Sequence, residues 1–471
     1  MAQTFFFYDL ETSGLNPRQD RIMQFAGQRT DMNLEPIGEP YNLLVTLNDD
    51  TLPSPDALMV TGITPQKTVE EGYTEAQFAR MLSEEIFTPD TIAVGFNNIR
   101  FDDEFIRHLL WRNFHDPYEW SWKDGHSRWD LLDVVRLTRA LRPEGINWPL
   151  DAKGEPSNRL ELITGANGIA HENAHDALAD VTALIAVTKL IKQKQPQLYD
   201  YLLKMRDKKL VQRLVNVDDK KPFVYASGRY DNEFAKTTVA FPLTTSRNGG
   251  VVVYDLRYDP TPFVELDTNE LAAKIFASWE ERQAEDFVKL PVKELQYNRC
   301  PAVAPLGVLE QGDGWQKISL DAETIQKHQN ILLKHPDFAE KLRSIFENKP
   351  AFKKLPDPEA QLYDGFLNDR DRLRVEAVRN ADERELADFH PEFQDERLTP
   401  LLLHYKARNF PRSLSEDDLA QWEIWRAQHL QAQLPGFMAS LQRLASTATD
   451  EQQFILQELQ LWAEAVLPGS D

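Results

Sequence analysis

Strand-like and helix-like segments alternate along the first 195 residues of this 471-residue chain. Two short apolar runs, Thr4–Leu10 and Asp90–Phe96, have the length and composition of buried strands. Apolar residues at the three- and four-residue spacing of a helix recur at Thr74–Phe87, Asp102–Phe114 and His175–Lys192. Such alternation indicates a sheet covered by helices, so we predict an α/β fold for residues 1–195.

The rest of the chain changes character twice. After residue 196 the apolar runs have the pattern of short antiparallel strands, at Phe223–Ala226, Thr237–Leu243, Val251–Leu256 and Pro291–Val303. Helical insertions are expected at Glu270–Glu281 and Ala322–Phe346. Beyond a break at Asn348-Lys349-Pro350 the pattern is almost wholly helical, with capping boxes at Ser415-x-x-Asp418 and Thr449-x-x-Gln452. We therefore predict three domains, namely residues 1–195, residues 196–348 and residues 349–471.

Composition limits where the chain works and what it binds. A single cysteine, Cys300, excludes an intrachain disulfide and suits a reducing compartment. The sequence shows neither a basic leader nor an apolar run of membrane-spanning length, so we expect a soluble cytoplasmic protein with no membrane partner. A formal charge of −22 argues against non-specific binding to duplex nucleic acid. A strand held in a local basic cleft stays compatible with that charge, because screening acts beyond about 8 Å at cellular salt.

Asp9 and Glu11 stand two residues apart where the first predicted strand ends. Side chains two apart on a strand point to the same face, so this pair forms a hard-oxygen site suited to Mg²⁺ or Mn²⁺. A solvated strand end is the alternative, since the spacing recurs without that context at Asp231/Glu233, Asp321/Glu323 and Asp357/Glu359.

Asp102 lies where the second predicted strand passes into a helix. A carboxylate there is either a helix cap or a metal ligand, and both interpretations fit the pattern. The adjacent Asp103 and Glu104 also leave open which of the three acidic residues acts.

Two histidines precede the last helix of the predicted α/β domain. His171/Asp176 and His175/Asp180 share a five-residue offset, so spacing alone selects neither pair. If the helix begins just after His175, Asp180 lies in its second turn and faces the same cleft as the loop histidine. A histidine that lies on the surface or caps the helix is the alternative.

Together these patterns resemble the DEDD exonuclease superfamily, histidine subclass, whose motifs read Asp-x-Glu, Asn-x-x-x-Phe-Asp and His-x-x-x-x-Asp. Here the motifs are Asp9/Glu11, Asn97–Asp102 and His175/Asp180. Further segments resemble the bacterial exodeoxyribonuclease I family: Val60–Thr64, Ser127–Asp133 and Leu141–Trp148. The likeness covers nearly the whole chain and is thinner beyond about residue 350. One departure is Ser13-Gly14, where many relatives have Thr-Gly.

The resemblance implies a fold and an activity. The expected fold is a ribonuclease H-like exonuclease domain with a mixed sheet, then an SH3-like β-rich domain and an all-helical C-terminal domain, together a C-shaped clamp. The expected activity is processive 3′→5′ degradation of single-stranded DNA to 5′-mononucleotides, in DNA repair and recombination. By the same resemblance His175 is the general base, and four carboxylates hold two Mg²⁺ ions, for which Mn²⁺ substitutes: Asp9, Glu11, Asp102 and Asp180.

Aromatic and basic residues between Trp111 and Trp148 predict contacts with a nucleic-acid strand. This segment holds half of the ten tryptophans, and stacking of bases on aromatic rings contributes about 1–3 kcal/mol per base. We expect Tyr118 and Trp122, in a loop punctuated by Pro and Gly, to stack, and Trp111 and Trp129 to lie in the core. The resemblance points to further strand contacts: Glu11, Arg107, Arg136 and Arg159.

Two other features have alternative interpretations. A basic helix over Lys204–Arg213 either lines the path of the strand or is a solvated face. The resemblance also implies a partner, the acidic C-terminal tail of single-stranded-DNA-binding protein, with Arg142 as a contact.

Competing functions are an RNA-trimming exonuclease of the same superfamily, a non-catalytic strand-binding adaptor and a proofreading subunit of a polymerase. Sugar preference is not readable from these residues. An adaptor usually lacks a metal carboxylate, whereas all four are present here. We expect a monomer.

Overall fold

The computed structural model describes residues 3–171, 176–247, 249–349 and 354–467. The chain forms two compact units, each built from separated stretches of sequence. The first unit comprises residues 1–127, 171–185 and 353–471, and the second unit comprises residues 128–170 and 186–352. None of the helices in the described ranges combines the length and apolar character that crossing a membrane requires.

The helices and strands follow in chain order. Up to residue 126 they are β1 (Thr4–Thr12), β2 (Ile22–Thr30), β3 (Tyr41–Leu44), α1 (Pro55–Thr61), α2 (Pro65–Glu71), α3 (Glu75–Met81), β4 (Thr91–Gly95) and α4 (Asp102–Arg112). Then come β5 (Ser127–Asp130), α5 (Leu131–Leu141), α6 (Leu160–Ala166), α7 (Ala177–Lys194), α8 (Pro196–Lys204), α9 (Lys208–Leu214), β6 (Phe223–Ala226), β7 (Thr237–Thr245) and β8 (Val251–Asp255). These are followed by α10 (Thr261–Val264), α11 (Thr268–Phe276), β9 (Val292–Leu295), β10 (Ala302–Pro305), α12 (Gly314–Lys317), α13 (Ala322–Lys334) and α14 (Pro336–Glu347). The last are α15 (Asp369–Asn380), α16 (Glu383–Asp388), α17 (Leu398–Asn409), α18 (Glu416–Ala445) and α19 (Asp450–Val466).

Strand β1 lies inside the sheet of the first unit, where the order is β3-β2-β1-β4. It pairs antiparallel with β2 and parallel with β4, so the sheet is mixed as predicted. The run Phe5-Phe6-Phe7-Tyr8 is fully buried on both faces, as a strand covered by helices on each side requires. The predicted first strand therefore exists and extends two residues further, through Thr12.

The pairing of β1 leaves its second half beyond the end of β4. Parallel pairing with β4 covers Thr4 to Phe7, whereas pairing with β2 continues with Asp9 opposite Ala26 and Glu11 opposite Gln24. The register shifts just after Glu11, which marks a β-bulge. Asp9 and Glu11 consequently lie next to the carboxyl end of β4, where ligands of α/β folds commonly bind.

The second unit contains an antiparallel sheet in the order β10-β6-β7-β8-β9. The β-rich run predicted at Pro291–Val303 contains two strands, because the chain turns between β9 and β10, and Cys300 there has φ 44°. The insertion predicted at Ala322–Phe346 is two helices, since Pro336 cannot continue α13 and begins α14 instead. The basic helix predicted at Lys204–Arg213 is likewise divided between α8 and α9.

Helices α15–α19 pack within the same unit as β1–β4. One apolar cluster joins Met23 and Leu58 to Leu430 and Trp462, and another joins Trp111 to helix α17. Both predicted capping boxes are present, at the starts of α18 and α19. The helical end of the chain therefore shares its core with the first 127 residues.

Candidate functional site

Three carboxylates meet beside the carboxyl end of β4. Asp9 and Glu11 come from β1 and Asp180 from α7, and each offers an oxygen within 4.8 Å of the others. The Asp176 side chain caps the N-terminus of α7, because it accepts a hydrogen bond from the Ala179 amide at 3.1 Å. Since α7 begins at Ala177, Asp180 lies in its first turn and not in the second turn that we predicted.

Asp102 is the first residue of α4 and is 4% exposed. The N-cap position belongs to Phe101, so Asp102 lies inside the helix and the proposed capping alternative does not describe its position. Its charge acts on Asp9 and Glu11, raising the pKa of both carboxyls. The sequence thus identified a fourth carboxylate that belongs electrostatically to the same cluster.

Burial and mutual repulsion hold these acids close to protonation. Burial raises the pKa of Asp9 well above its usual value, and the charges of Asp102, Glu11 and Asp180 raise it further. Burial, followed by the charge of Asp180, raises the pKa of Glu11 to about 8. A divalent cation relieves that repulsion, and a set of carboxylate oxygens is the donor set that Mg²⁺ and Mn²⁺ prefer. The residues present therefore fit such a metal.

A histidine also contacts the cluster. His171 Nε2 lies 2.6 Å from Asp180 Oδ1, and the His171 side chain is 4% exposed. This pair is separated by nine residues, so the five-residue offset weighed in the sequence did not predict it. His175, the residue selected by the resemblance, lies outside the described residues.

Three further buried side chains, Tyr8, Asn98 and Asp103, adjoin the carboxylates. The Tyr8 hydroxyl donates to Asp103, and the Asn98 amide donates to the Tyr8 hydroxyl at 3.2 Å. Burial raises the pKa of Tyr8 well above its usual value, and the charges of Asp103 and Asp102 add to that shift. Sequence analysis missed Tyr8 because it reads as one more apolar residue of a buried strand.

Two of the predicted strand contacts, Arg107 and Tyr118, lie together. The Arg107 guanidinium lies 5.6 Å from the centre of the Tyr118 ring, and the Tyr118 ring lies 6.0 Å from that of Phe366. Trp122 is 65% exposed and Phe366 is 83% exposed, so both rings are open to a ligand. The Tyr363 hydroxyl also contacts Arg107, at 3.4 Å. The sequence did not predict the contacts of Tyr363 and Phe366, because both residues lie far along the chain from the loop that carries Tyr118. Trp111 and Trp129 are core residues, as predicted.

The remaining arginines of interest belong to the second unit. Arg136 is paired with Asp133 at 2.6 Å, and Arg159 is paired with Glu161 at 2.6 Å while its side chain is 67% exposed. Arg142 donates to the side chain of Gln311 at 2.9 Å.

A second group with metal-ligand chemistry is already satisfied by arginines. Asp357, Glu359 and His404 offer ligand atoms within 4.8 Å of one another. Glu359, however, contacts Arg408 at 2.5 Å and Arg21 at 2.8 Å. Burial works to raise the pKa of Glu359, but these two guanidinium groups outweigh it and lower the pKa well below its usual value. This group is therefore a buried ionic network, which also includes Asp50.

Family comparisons match three consecutive parts of the chain. Residues 6–188 match the family described as "Exonuclease", residues 206–348 match the "Exonuclease I SH3-like domain", and residues 356–466 match the "Exonuclease I C-terminal domain".

Curated relatives match along nearly the full length. Exodeoxyribonuclease I of Haemophilus influenzae is 40% identical over 450 residues, which cover 95% of each chain. Exodeoxyribonuclease I of Escherichia coli is 39% identical over 465 residues, covering 98% of this chain and 97% of that one.

Solved structures of exonuclease I match nearly the whole chain, and the first two described here are of the E. coli enzyme. Exonuclease I in complex with a dA16 oligonucleotide has a TM-score of 0.94 at 38% identity and covers 99% of this chain and 100% of that one. A zinc-bound complex with single-stranded DNA has the same four values. A structure of SSB and exonuclease I with an inhibitor has a TM-score of 0.89 at 37% identity, covering 99% of this chain and 100% of that one. The family resemblance drawn from the motifs is confirmed, and this chain belongs to the exodeoxyribonuclease I family of metal-dependent exonucleases.

Proposed function

We propose that this protein is a 3′→5′ exonuclease that removes 5′-mononucleotides from single-stranded DNA, in DNA repair and recombination. The observation that carries the proposal is the convergence of Asp9, Glu11 and Asp180 within 4.8 Å, with the charge of Asp102 acting on the same group. Relatives of nearly equal length are named exodeoxyribonuclease I, and one solved relative holds single-stranded DNA.

We assign the four carboxylates to two Mg²⁺ sites. Asp9 would contact both ions, Glu11 and Asp180 would complete the site of the attacking water, and Asp102 would hold the second ion. Bound in pairs, such ions lower the pKa of a water and neutralise charge on the leaving oxygen of a phosphodiester. The raised pKa values of Asp9 and Glu11 support this assignment, because a cation would relieve the repulsion among the carboxylates that contributes to both shifts.

Proton transfer falls to a histidine beside the carboxylates. We assign His175 as the general base by the family motif, because imidazole titrates near neutral pH. His171 orients Asp180 through the 2.6 Å contact from its Nε2. A carboxylate held in this way keeps one oxygen directed at the site.

The incoming strand is held by arginines and exposed rings. Arg107 supplies positive charge for phosphates, and Tyr118 and Trp122 supply stacking faces. The exposed ring of Phe366, 6.0 Å from that of Tyr118, extends this surface. By the family resemblance we also assign Arg136 and Arg159 to phosphate contacts.

We propose functional domains at residues 1–195, 196–348 and 349–471. The three family matches, at residues 6–188, 206–348 and 356–466, support boundaries close to these.

We propose that Arg142 receives the acidic C-terminal tail of single-stranded-DNA-binding protein, since a related exonuclease I has been solved with SSB. An arginine fork suits a terminal carboxylate. Arg142→Ala should weaken binding of a peptide with that tail by about tenfold, in a fluorescence-anisotropy titration. Arg159→Ala is the control, and equal weakening in both variants would contradict this assignment.

The activity is tested with a 5′-labelled oligonucleotide prepared as DNA and as RNA, single- and double-stranded, in Mg²⁺. We expect a ladder that shrinks from the 3′ end with single-stranded DNA. Asp9→Asn and Asp180→Asn should each lower the rate by more than about 10³-fold while circular dichroism stays unchanged.

Asp231→Asn is the matched control, because it removes a carboxylate with the same Asp-x-Glu spacing from the second unit. It should cleave at the wild-type rate. Full activity in excess EDTA, or in Asp9→Asn, would sink the proposed mechanism.

A further inference from the structure

A small buried polar group lies between the two elements that carry Asp9 and Asp102. The Tyr8 hydroxyl donates to Asp103, and the Asn98 amide donates to the Tyr8 hydroxyl and to Asp103, at 3.2 Å in each case. Tyr8, Asn98 and Asp103 are all at 0% exposure. Polar groups so far from water hold their positions closely when they are hydrogen-bonded to one another.

The position of this group in the chain couples it to the carboxylates. Tyr8 precedes Asp9 on β1, and Asp103 follows Asp102 in the first turn of α4. Side chains alternate along a strand, so Tyr8 enters the core that includes Phe105 while Asp9 points to the opposite face. The Tyr8–Asp103 hydrogen bond therefore sets how far the first turn of α4 stands from β1.

The backbone after β4 is shaped to deliver Asn98 to this group. Asn97 has φ 70°, in the left-handed region, and turns the chain back toward the sheet. A Cβ atom at Gly95 would lie 2.5 Å from the Cβ of Asn98, so only glycine leaves room there. The contact between Asn98 and the Tyr8–Asp103 pair thus depends on the left-handed conformation of Asn97 and on the close approach that glycine allows at position 95.

We propose that Tyr8 and Asn98 are positioning residues that set the separation of Asp9 and Asp102, and thereby the affinity of the site for divalent cations. The inference rests on the proposed metal-dependent function. Neither residue is a catalytic residue, since each acts through Asp103 and the first turn of α4. Changes behind the ligands of a metal site typically cost about 10–100-fold in metal affinity, which is the size of effect expected here.

The test measures Mn²⁺ binding directly, by electron paramagnetic resonance on the full chain without DNA. Tyr8→Phe removes one hydroxyl and should weaken binding at one site about tenfold. The Mn²⁺ concentration that half-saturates cleavage of single-stranded DNA should rise by the same factor. The KM for DNA should change less than twofold, and excess Mn²⁺ should restore much of kcat.

Asp103→Asn is the conservative variant. Its amide oxygen still accepts from Tyr8 and Asn98, so its Mn²⁺ affinity should exceed that of Tyr8→Phe. Asn98→Ala removes the second donor and should weaken Mn²⁺ binding in the same direction, which keeps the test open if Tyr8→Phe fails to fold.

Tyr254→Phe is the matched control, because Tyr254 is a fully buried tyrosine of the second unit whose hydroxyl has no hydrogen-bond partner in the described part of the chain. It should bind Mn²⁺ as the wild type does. Wild-type Mn²⁺ affinity in Tyr8→Phe and Asn98→Ala would overturn the proposal, even if both variants melt earlier. If the wild-type protein binds no Mn²⁺, that result would contradict both the proposed function and this inference.

Discussion

Glu359 shows how a single buried charge can be kept in this fold. Its side chain is fully buried. Its Oε1 is contacted by Arg408 at 2.5 Å and by the Nδ1 of His404 at 2.7 Å, and its Oε2 is contacted by Arg21 at 2.8 Å. An isolated carboxylate at that depth would be prohibitively desolvated, so the partners are what allow it to stay ionised.

Removing the charge of Glu359 should strongly destabilise the folded protein. Glu359→Gln removes one of the two carboxylates that Arg21 and Arg408 share, and both guanidinium groups then depend on Asp50. Loss of one partner from such a buried ionic contact costs about 3–5 kcal/mol. We expect the free energy of unfolding, measured in urea, to fall by that amount.

Glu84→Gln is the comparison, since Glu84 is 62% exposed and 3.9 Å from Arg80. Its unfolding curve should overlay that of the wild type, because exposed ion pairs contribute little. Equal losses of unfolding free energy in both variants would show that the buried ionic network contributes no more to stability than an exposed ion pair does.

Two buried histidines predict an acid-sensitive fold. Burial lowers the pKa of His108, and of His115, from 6.5 to about 3. The unfolded chain therefore binds more protons than the native one below about pH 6.5, and stability falls as pH drops toward 3. At pH 5 each histidine should lower the free energy of unfolding by about 2 kcal/mol relative to its value at neutral pH.

Urea unfolding at a series of pH values checks this expectation. A double variant, His108→Gln and His115→Gln, should show a flatter dependence of unfolding free energy between pH 6.5 and 4 than the wild type. An unchanged slope would mean that other groups carry the acid sensitivity.

Residue types and spacing predicted the acidic part of the site but not its support. The context of carboxylates at strand and helix ends indicated the segments that carry Asp9, Glu11, Asp102 and Asp180. The resemblance to the family motifs then selected Asp102 and Asp180 from among their acidic neighbours. The contacts of Tyr8, His171 and Phe366 were not predicted, since each depends on which residue the fold brings beside it, and no local pattern encodes that.

At the scale of elements, the end of β4 is the most constrained segment. Gly95 is the last residue of the strand, and the chain must turn within a few residues to begin α4 at Asp102. The turn between Gly95 and Asp102 is therefore tightly constrained, and small changes in it should alter the position of Asp102 in the carboxylate cluster.

Gly95→Ala should destabilise the protein and impair cleavage. The added methyl group meets the Asn98 Cβ at 2.5 Å, and such overpacking typically costs about 1–3 kcal/mol. The readouts are the thermal midpoint and the rate of DNA cleavage. Gly165→Ala in α6 is the control, since a Cβ there meets nothing within 4 Å and alanine favours the helix. A Gly95→Ala variant more stable than Gly165→Ala would contradict the steric argument.

Periodicity located the elements better than their ends. The strands at Thr4 and Thr91 and the capped starts of α18 and α19 follow from apolar runs and side-chain caps. The division of α13 from α14 was visible only as Pro336, and the split between β9 and β10 depends on a turn with little sequence signal. Tertiary packing decides such breaks.

At the scale of the whole molecule, the first unit is closed by distant parts of the chain. Apolar side chains of α1, β2 and α4 are covered by helices of residues 354–467, and Arg21 and Asp50 find their partners there. Hydropathy indicated a separate helical domain at residues 349–471, yet one sequence pattern cannot show which core a helix completes.

A chain ending at residue 349 should therefore not fold stably. It would expose two apolar clusters and leave the buried charges unpaired, which is a recognised route to aggregation. Solubility and circular dichroism of the shortened chain check this. A soluble fragment with a cooperative melt and wild-type Mn²⁺ binding would show that the first 349 residues suffice.

The discontinuous first unit also sets an order of events during synthesis. A ribosome releases β1 and its carboxylates early, but the residues that complete their core, 353–471, emerge last. At about 5–20 residues per second, about 11–46 seconds of translation separate Asp180 from Arg408. The carboxylates are therefore made well before residues 353–471, which complete the core around them, and we expect the chain to cut DNA only after that later segment has been synthesised.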